Sequence, residues 1–396
     1  MMHTLSEWKL LPIRAARTRR SGSLCEPLKE EAACAAAITQ GNPAEKERGM
    51  SVTKEYFGRL GDGTEVSLYT IRTERLCAVV SDLGALLVRL MTPDRDGKMK
   101  DIVLGYDDVE HYLENPSCFG AVVGPSANRI AGASFVIDGE EYHLPVNERN
   151  NNLHSDKLFY KRFFAAEIGD NCVSFSISLP DGDAGFPGNR DFTITYSLTD
   201  EDLRIDYKVT SDKKTVINMT NHSYFNLAGE DSGSILDQVA KFCCSNTTKV
   251  DAALIPTGEI VPVKGTALDF TQPKPIGRDI GSEEEQMKFG GGYDHNFVID
   301  GYTGDGTLLV AGEVCDPASG RVMQVLTNVP GVQFYTANGM TAEGGKNGRT
   351  YGPKSGFALE TQFFPDNVHH ANFPQSVFGP GRDYVSTTIY RFPVCR

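Results

Sequence analysis

Two residues in this 396-residue sequence are of the types that exchange protons near neutral pH, and both fall on candidate strands: His222 and Glu360. His222 lies in the stretch Asn218-Met219-Thr220-Asn221-His222-Ser223-Tyr224-Phe225. Read as a strand, that stretch sends Asn218, Thr220 and His222 to one side and Ile217, Met219 and Asn221 largely to the other, so the histidine sits on a polar face. Glu360 lies in Phe357-Ala358-Leu359-Glu360-Thr361-Gln362-Phe363-Phe364-Pro365, where alternation puts Ala358, Glu360 and Gln362 opposite Phe357, Leu359, Thr361 and Phe363. A carboxylate among phenylalanines is costly to bury unless it is paired or functional. Each residue has a plainer reading, a hydrogen-bonded, partly buried histidine and a solvated outer-face glutamate. If the two meet in one cleft they form an acid and a base, with ordinary pKa values near ~6.5 and ~4.3.

Three further stretches carry groups of the kind that hold sugar hydroxyls. Gly124-Pro125-Ser126-Ala127-Asn128-Arg129-Ile130 sets an amide beside a guanidinium, and Asn151-Asn152-Leu153-His154 and Gly291-Gly292-Tyr293-Asp294-His295-Asn296 are polar and turn-like. Taken singly, each also reads as an ordinary loop. A metal site assembled from His154, His222, His295 and the pair His369-His370 is a weak reading, because none of them has the H-x-x-x-H or C-x-x-C spacing of a ligand pair. There is no G-x-S-x-G elbow, no phosphate-binding P-loop and no dinucleotide fingerprint between a strand and a helix, so no nucleotide or flavin is called for.

The elements that must position these side chains are strands. Val173, Phe175, Ile177 and Leu179 alternate with polar residues, as do Phe192, Ile194, Tyr196 and Leu198, and then Leu203, Ile205, Tyr207 and Val209. Turn signals such as Asp138-Gly139, Asp181-Gly182, Pro187-Gly188-Asn189, Asp200-Glu201-Asp202 and Gly304-Asp305-Gly306 fit antiparallel hairpins. Helices are predicted only over Asp107 to Asn115 and Ser282 to Lys288, too few for the crossovers of a parallel α/β fold. No repeat of 20 to 50 residues points to a propeller or solenoid. The reading is all-β: one large single-domain antiparallel β-sandwich over residues 51–396.

Composition narrows the function classes. With 40% hydrophobic and 23% charged residues the chain is typical of a soluble globular protein. A formal net charge of -13 disfavours nucleic acid, acidic membranes and highly phosphorylated ligands, and favours a neutral one. No apolar run approaches the ~18 residues of a membrane span. Nine cysteines, with no C-x-x-C pair, read as reduced thiols and predict a cytoplasmic location. Residues 1–50 differ from the rest, with 8 Lys and Arg against 6 Glu where the remainder has 31 basic and 46 acidic residues. They read as a disordered or dispensable leader, with a transit peptide as the alternative. Translation starting at Met50 is a further expectation, since Lys46-Glu47-Arg48-Gly49 can be encoded by a purine-rich tract just upstream.

In order along the chain, Asn128-Arg129-Ile130, Asn152-Leu153-His154, Thr220 to Leu227, Tyr293-Asp294-His295, Gln333-Phe334-Tyr335-Thr336 and Leu359-Glu360-Thr361-Gln362 resemble the aldose 1-epimerase (galactose mutarotase) family. The resemblance implies the galactose mutarotase-like supersandwich with an open sugar cleft, and a cofactor-free, metal-free isomerase. Such an enzyme interconverts the α and β anomers of hexoses such as galactose and glucose, acting as a monomer or weak homodimer. It implies Glu360 as the base at the anomeric hydroxyl and His222 as the acid at the ring oxygen. Asn128, Arg129, His154, Asp294 and Gln333 become substrate-binding or supporting residues, and Arg129 and Asp294 are expected to pair. The chain departs from the family at Pro125, where an arginine is usual, and at Ser155-Asp156, where two glycines are usual, and it lacks a downstream Trp whose space Phe163 or Phe164 is expected to fill. A non-catalytic sugar-binding protein on the same fold, and an epimerase of another sugar or a sugar phosphate, are the alternatives.

Overall fold

The structure is a computed structural model and describes residues 51–393. The leader, the Met50 start and the cysteines Cys25, Cys34 and Cys395 lie outside the described residues. Three large antiparallel sheets dominate. Ser51–Arg59, Glu65–Arg72, Cys77–Ser81, Leu87–Pro93 and Met99–Asp101 form the first, each strand beside the next in chain order. The second has nine strands, and it contains the three alternating stretches as Cys172–Leu179, Arg190–Leu198 and Asp202–Ser211. Their registers line up Phe175 with Ile194 and Ile194 with Tyr207, all buried. Each such side chain contributes roughly 1.5–3 kcal/mol of apolar transfer.

The third sheet carries the cleft. Its strands run in the order Pro256–Pro262, Asn246–Val250, Asp294–Val298, Gly331–Tyr335 and Ala358–Gln362. It lies against the nine-stranded sheet through the odd-numbered residues of its last strand. Leu359 is in the core, its carbonyl accepts from the Tyr390 hydroxyl at 3.3 Å, and Thr361 meets Thr388. Face-to-face packing of this kind obliges Glu360 and Gln362 to point the other way.

The two predicted helices are present but shorter, at Val109–Glu114 and Glu285–Gly290. Asp108 caps the first by accepting from the His111 N–H at 2.8 Å, and Asn115 ends it in a left-handed turn. The strand expected around His222 is also short, Thr220–His222, paired with Ala121–Val123. Asn221 Oδ1 accepts from both the N–H and the hydroxyl of Ser223, which draws the backbone out of the ladder one residue after His222. Among the described residues no helix is long and apolar enough to cross a membrane.

Candidate active site

The sheet register brings three of the singled-out residues together: Gln333 sits opposite Glu360 on one side and Asn296 on the other, while Asp294 faces Tyr335. The strand Thr220–His222 packs against Ala358–Gln362, and Arg129 stands on the two-residue strand Arg129–Ile130, which pairs with Asn152–Leu153 just before His154. The result is a cavity of about 390 Å³ whose wall includes Asn128, Arg129, His154, His222, Asp294 and Glu360. Gln333 is not on that wall. It lies behind Asp294 and donates to Asp294 Oδ1 at 2.6 Å, so it orients the carboxylate.

His222 Nε2 lies 3.6 Å from Glu360 Oε1, beyond a direct hydrogen bond but close enough for one small group to touch both. Both side chains are nearly fully buried, at 7% and 3% exposure. The His222 ring packs 5.0 Å from the Tyr224 ring and 5.3 Å from that of His154. His222 Nδ1 and Glu360 Oε2 have no hydrogen-bond partner among the described residues. The ordinary pKa values expected from the residue types do not survive this burial. Desolvation, with a smaller contribution from the Lys157 charge, pushes His222 down to about 4. Desolvation and the like charge of Asp294 push Glu360 up to about 8, with Arg129 acting the other way. Both groups are driven toward their neutral forms, so between those values the pair holds a single dissociable proton.

Asn128 organises the adjoining wall. In a left-handed conformation, with φ of 60°, it accepts from the Arg129 N–H through Oδ1 at 2.9 Å, while its own N–H donates to His154 Nδ1 at 3.1 Å. That bond makes Nδ1 the acceptor of the His154 ring and leaves the proton on Nε2. His154, His222 and Glu360 have donor atoms within 4.8 Å of one another, a spacing open to a divalent ion. The tautomer argues against one: to ligate through Nε2, His154 would have to move its proton to Nδ1, against the Asn128 N–H. The other histidines of the weak metal reading stand apart, His295 between the Asp294 N–H and the Gln286 carbonyl and His369 on Asp366.

The surroundings of the cleft differ in detail from what the residue types alone suggest. Arg129 feels the charge of Asp294, as expected, but its direct ion pair is with Glu148, which takes the fork in two parallel bonds, Nε to Oε2 and Nη2 to Oε1, each 2.8 Å. Phe163 is 41% exposed and Phe164 lies in the core, so neither lines the cavity, whose aromatic wall is Tyr224 and Tyr335. Lys157 also reaches the cavity, its ammonium tied to the Pro116 carbonyl at 3.1 Å. Glu148 and Lys157 were missed because both stand in turns, where no alternation marks a side chain's direction. Ser155 and Asp156 both take left-handed backbone of the kind that favours glycine, with φ of 51° and 64°. Ser155 offsets some of that strain by accepting from the Ser126 N–H and donating to its carbonyl.

A sequence model described as aldose 1-epimerase matches residues 67–391. The galactose mutarotase of Rattus norvegicus is 40% identical over 348 residues, spanning 87% of this chain and 99% of the rat chain. The chain belongs to the aldose 1-epimerase family. The aldose 1-epimerase of Escherichia coli (strain K12) is 34% identical over 337 residues, 84% of this chain and 96% of its own. Among solved structures, an aldose epimerase homologue from C. elegans superposes with a TM-score of 0.73 at 28% identity, covering 81% of this chain and 96% of that one. The crystal structure of a galactose 1-epimerase from Lactobacillus acidophilus NCFM gives 0.74 at 24% identity, over 87% and 99%, a likeness of fold. The β-sandwich read from strand alternation is therefore the architecture of the aldose 1-epimerases.

Proposed function

We propose that this protein is an aldose 1-epimerase acting on free hexoses, with Glu360 as base and His222 as acid. The observation that carries the reading is the buried pair 3.6 Å apart in the wall of a cavity of about 390 Å³. The pyranose is a hemiacetal whose O1 hydroxyl and ring oxygen O5 share one carbon, so two groups this close reach both. Glu360 takes the O1 proton, the C1–O5 bond breaks with its electron pair going to O5, and O5 takes a proton from His222. C1 becomes an aldehyde, rotates about half a turn, and the ring recloses with both transfers reversed.

The proton count fits the burial. The ring form needs the imidazolium and carboxylate, whereas the open chain faces a neutral imidazole and a carboxylic acid. Desolvation favours the second arrangement and so stabilises the site opposite the open-chain species. Arg129, His154 and Asp294 offer donors and an acceptor to the sugar hydroxyls, with Asn128 and Gln333 holding them in place. Glu148 balances the Arg129 charge and Asp294 offsets that of Lys157 on the same wall, so the cleft lacks the excess of positive charge that a phosphorylated hexose would require. Because its relatives are named galactose mutarotases, galactose is the first substrate to test. We assign the activity to the cytoplasm, in keeping with a buried thiol, Cys118, in the cleft wall, and to a monomer or weak homodimer.

Polarimetry on freshly dissolved α-galactose and α-glucose tests the reading. The protein should hasten the approach to anomeric equilibrium, and no acceleration with any aldose would remove it.

A further inference from the structure

We infer that Glu148 is a positioning residue for sugar binding: it holds the Arg129 guanidinium so that the rest of its fork is presented to the cleft. The inference rests on the aldose-cleft reading above. Arg129 stands on a strand of only two residues, and its long side chain has several rotatable bonds. Two parallel bonds of 2.8 Å from Nε and Nη2 to the Glu148 carboxylate fix both the position and the plane of the guanidinium. Nη1 remains, on a side chain 9% exposed that lines the cavity. Besides Glu148, the opposite charges that act on Arg129 are Asp294 and Glu360, the groups that must stay available to the sugar.

Glu148 is itself held in place. Its carbonyl accepts from the Asn151 N–H at 2.9 Å and its N–H donates back to the Asn151 carbonyl at 3.2 Å, closing a tight turn with Arg149 left-handed. The chain runs from this turn into Asn152–Leu153, where Leu153 pairs with Arg129, and then into His154. One turn therefore sets the aim of Arg129 and the entry to His154. An ion pair on an open surface would contribute little, but this one has a buried arginine and fork-on-fork geometry.

The test is steady-state mutarotation of galactose by wild type, Glu148→Gln, Glu148→Ala, Arg129→Lys and the Glu148→Ala/Arg129→Lys double variant, with a thermal melt of each. Glu148→Ala should raise KM on the order of 10-fold while kcat changes far less, since binding is loosened with the acid–base pair intact. In the Arg129→Lys background the same change should have almost no further effect, because lysine cannot take the two parallel bonds. Wild-type KM in both Glu148 variants, or an equal loss in both backgrounds, would overturn the inference. If Glu148→Ala fails to fold, the isosteric Glu148→Gln decides on the same criteria. A wild type active on galactose but indifferent to Glu148 sinks this inference alone, whereas an inactive wild type sinks it together with the reading it rests on.

Discussion

His222 Nε2 and Glu360 Oε1 lie 3.6 Å apart although 138 residues separate them in the chain, and each is carried by a different strand. Neither makes a direct hydrogen bond to the other, and burial drives each toward its neutral form. A pair arranged in this way should titrate as a unit.

The pH dependence of kcat/KM should be bell-shaped with a broad top. On the acid side activity should fall through about pH 4, where the pair takes up a second proton at His222. On the alkaline side it should fall through about pH 8, where Glu360 loses the last one. A profile of kcat/KM for galactose from pH 3 to 10, flat across that range, would contradict the shared-proton description.

Asp294 raises the Glu360 pKa by like charge, second only to burial. Asp294→Asn removes that charge, so Glu360 should ionise more easily and the alkaline limb should move to lower pH. The same substitution disturbs the acceptor of the Gln333 bond and should raise KM. An alkaline limb that stays in place or moves upward would show that Asp294 does not act on Glu360.

How far these features could be read in advance depended on periodicity. Phe175, Ile194 and Tyr207 were legible because each side of an extended strand repeats every second residue, and Glu360 was legible because Leu359 and Thr361 beside it had to face the core. Glu148 carries no such mark: its role comes from a turn that places it against Arg129, 19 positions earlier. The pKa shifts were hidden for a related reason, since desolvation is set by whatever closes over a residue and not by its neighbours in sequence. Tyr224, which packs on His222, stands beyond the point where Ser223 has left the ladder.

Glu360 also predicts a pH-dependent stability difference. Its folded pKa, about 8, lies above the ordinary carboxylate value of 4.5, so the folded state retains a proton that the unfolded state gives up over that interval. Stability from this group is therefore present below about pH 4.5 and is lost as pH rises through about 8. Glu360→Gln, which cannot ionise, should match wild type near pH 4.5 and be the more stable protein at pH 9, by about 2 kcal/mol after allowance for coupling to His222. Urea unfolding at the two pH values measures it, and a wild type more stable than the variant at pH 9 would refute the sign.

Away from the cleft, Lys346 is buried with its ammonium 2.7 Å from Asp101 Oδ2 and 2.6 Å from the Val103 carbonyl. Lys346→Met leaves a carboxylate without its counter-charge and should cost about 3 kcal/mol in stability. A midpoint in urea unchanged from wild type would mean that solvent or backbone groups already compensate Asp101.

The assignment of the base is tested most directly by the mutarotation rate of Glu360→Gln at pH 7 under saturating galactose. The isosteric amide keeps the shape of the cleft and removes only the proton acceptor, so kcat should fall by roughly 10² to 10⁴ with KM little changed. A variant that keeps the wild-type kcat would contradict the account.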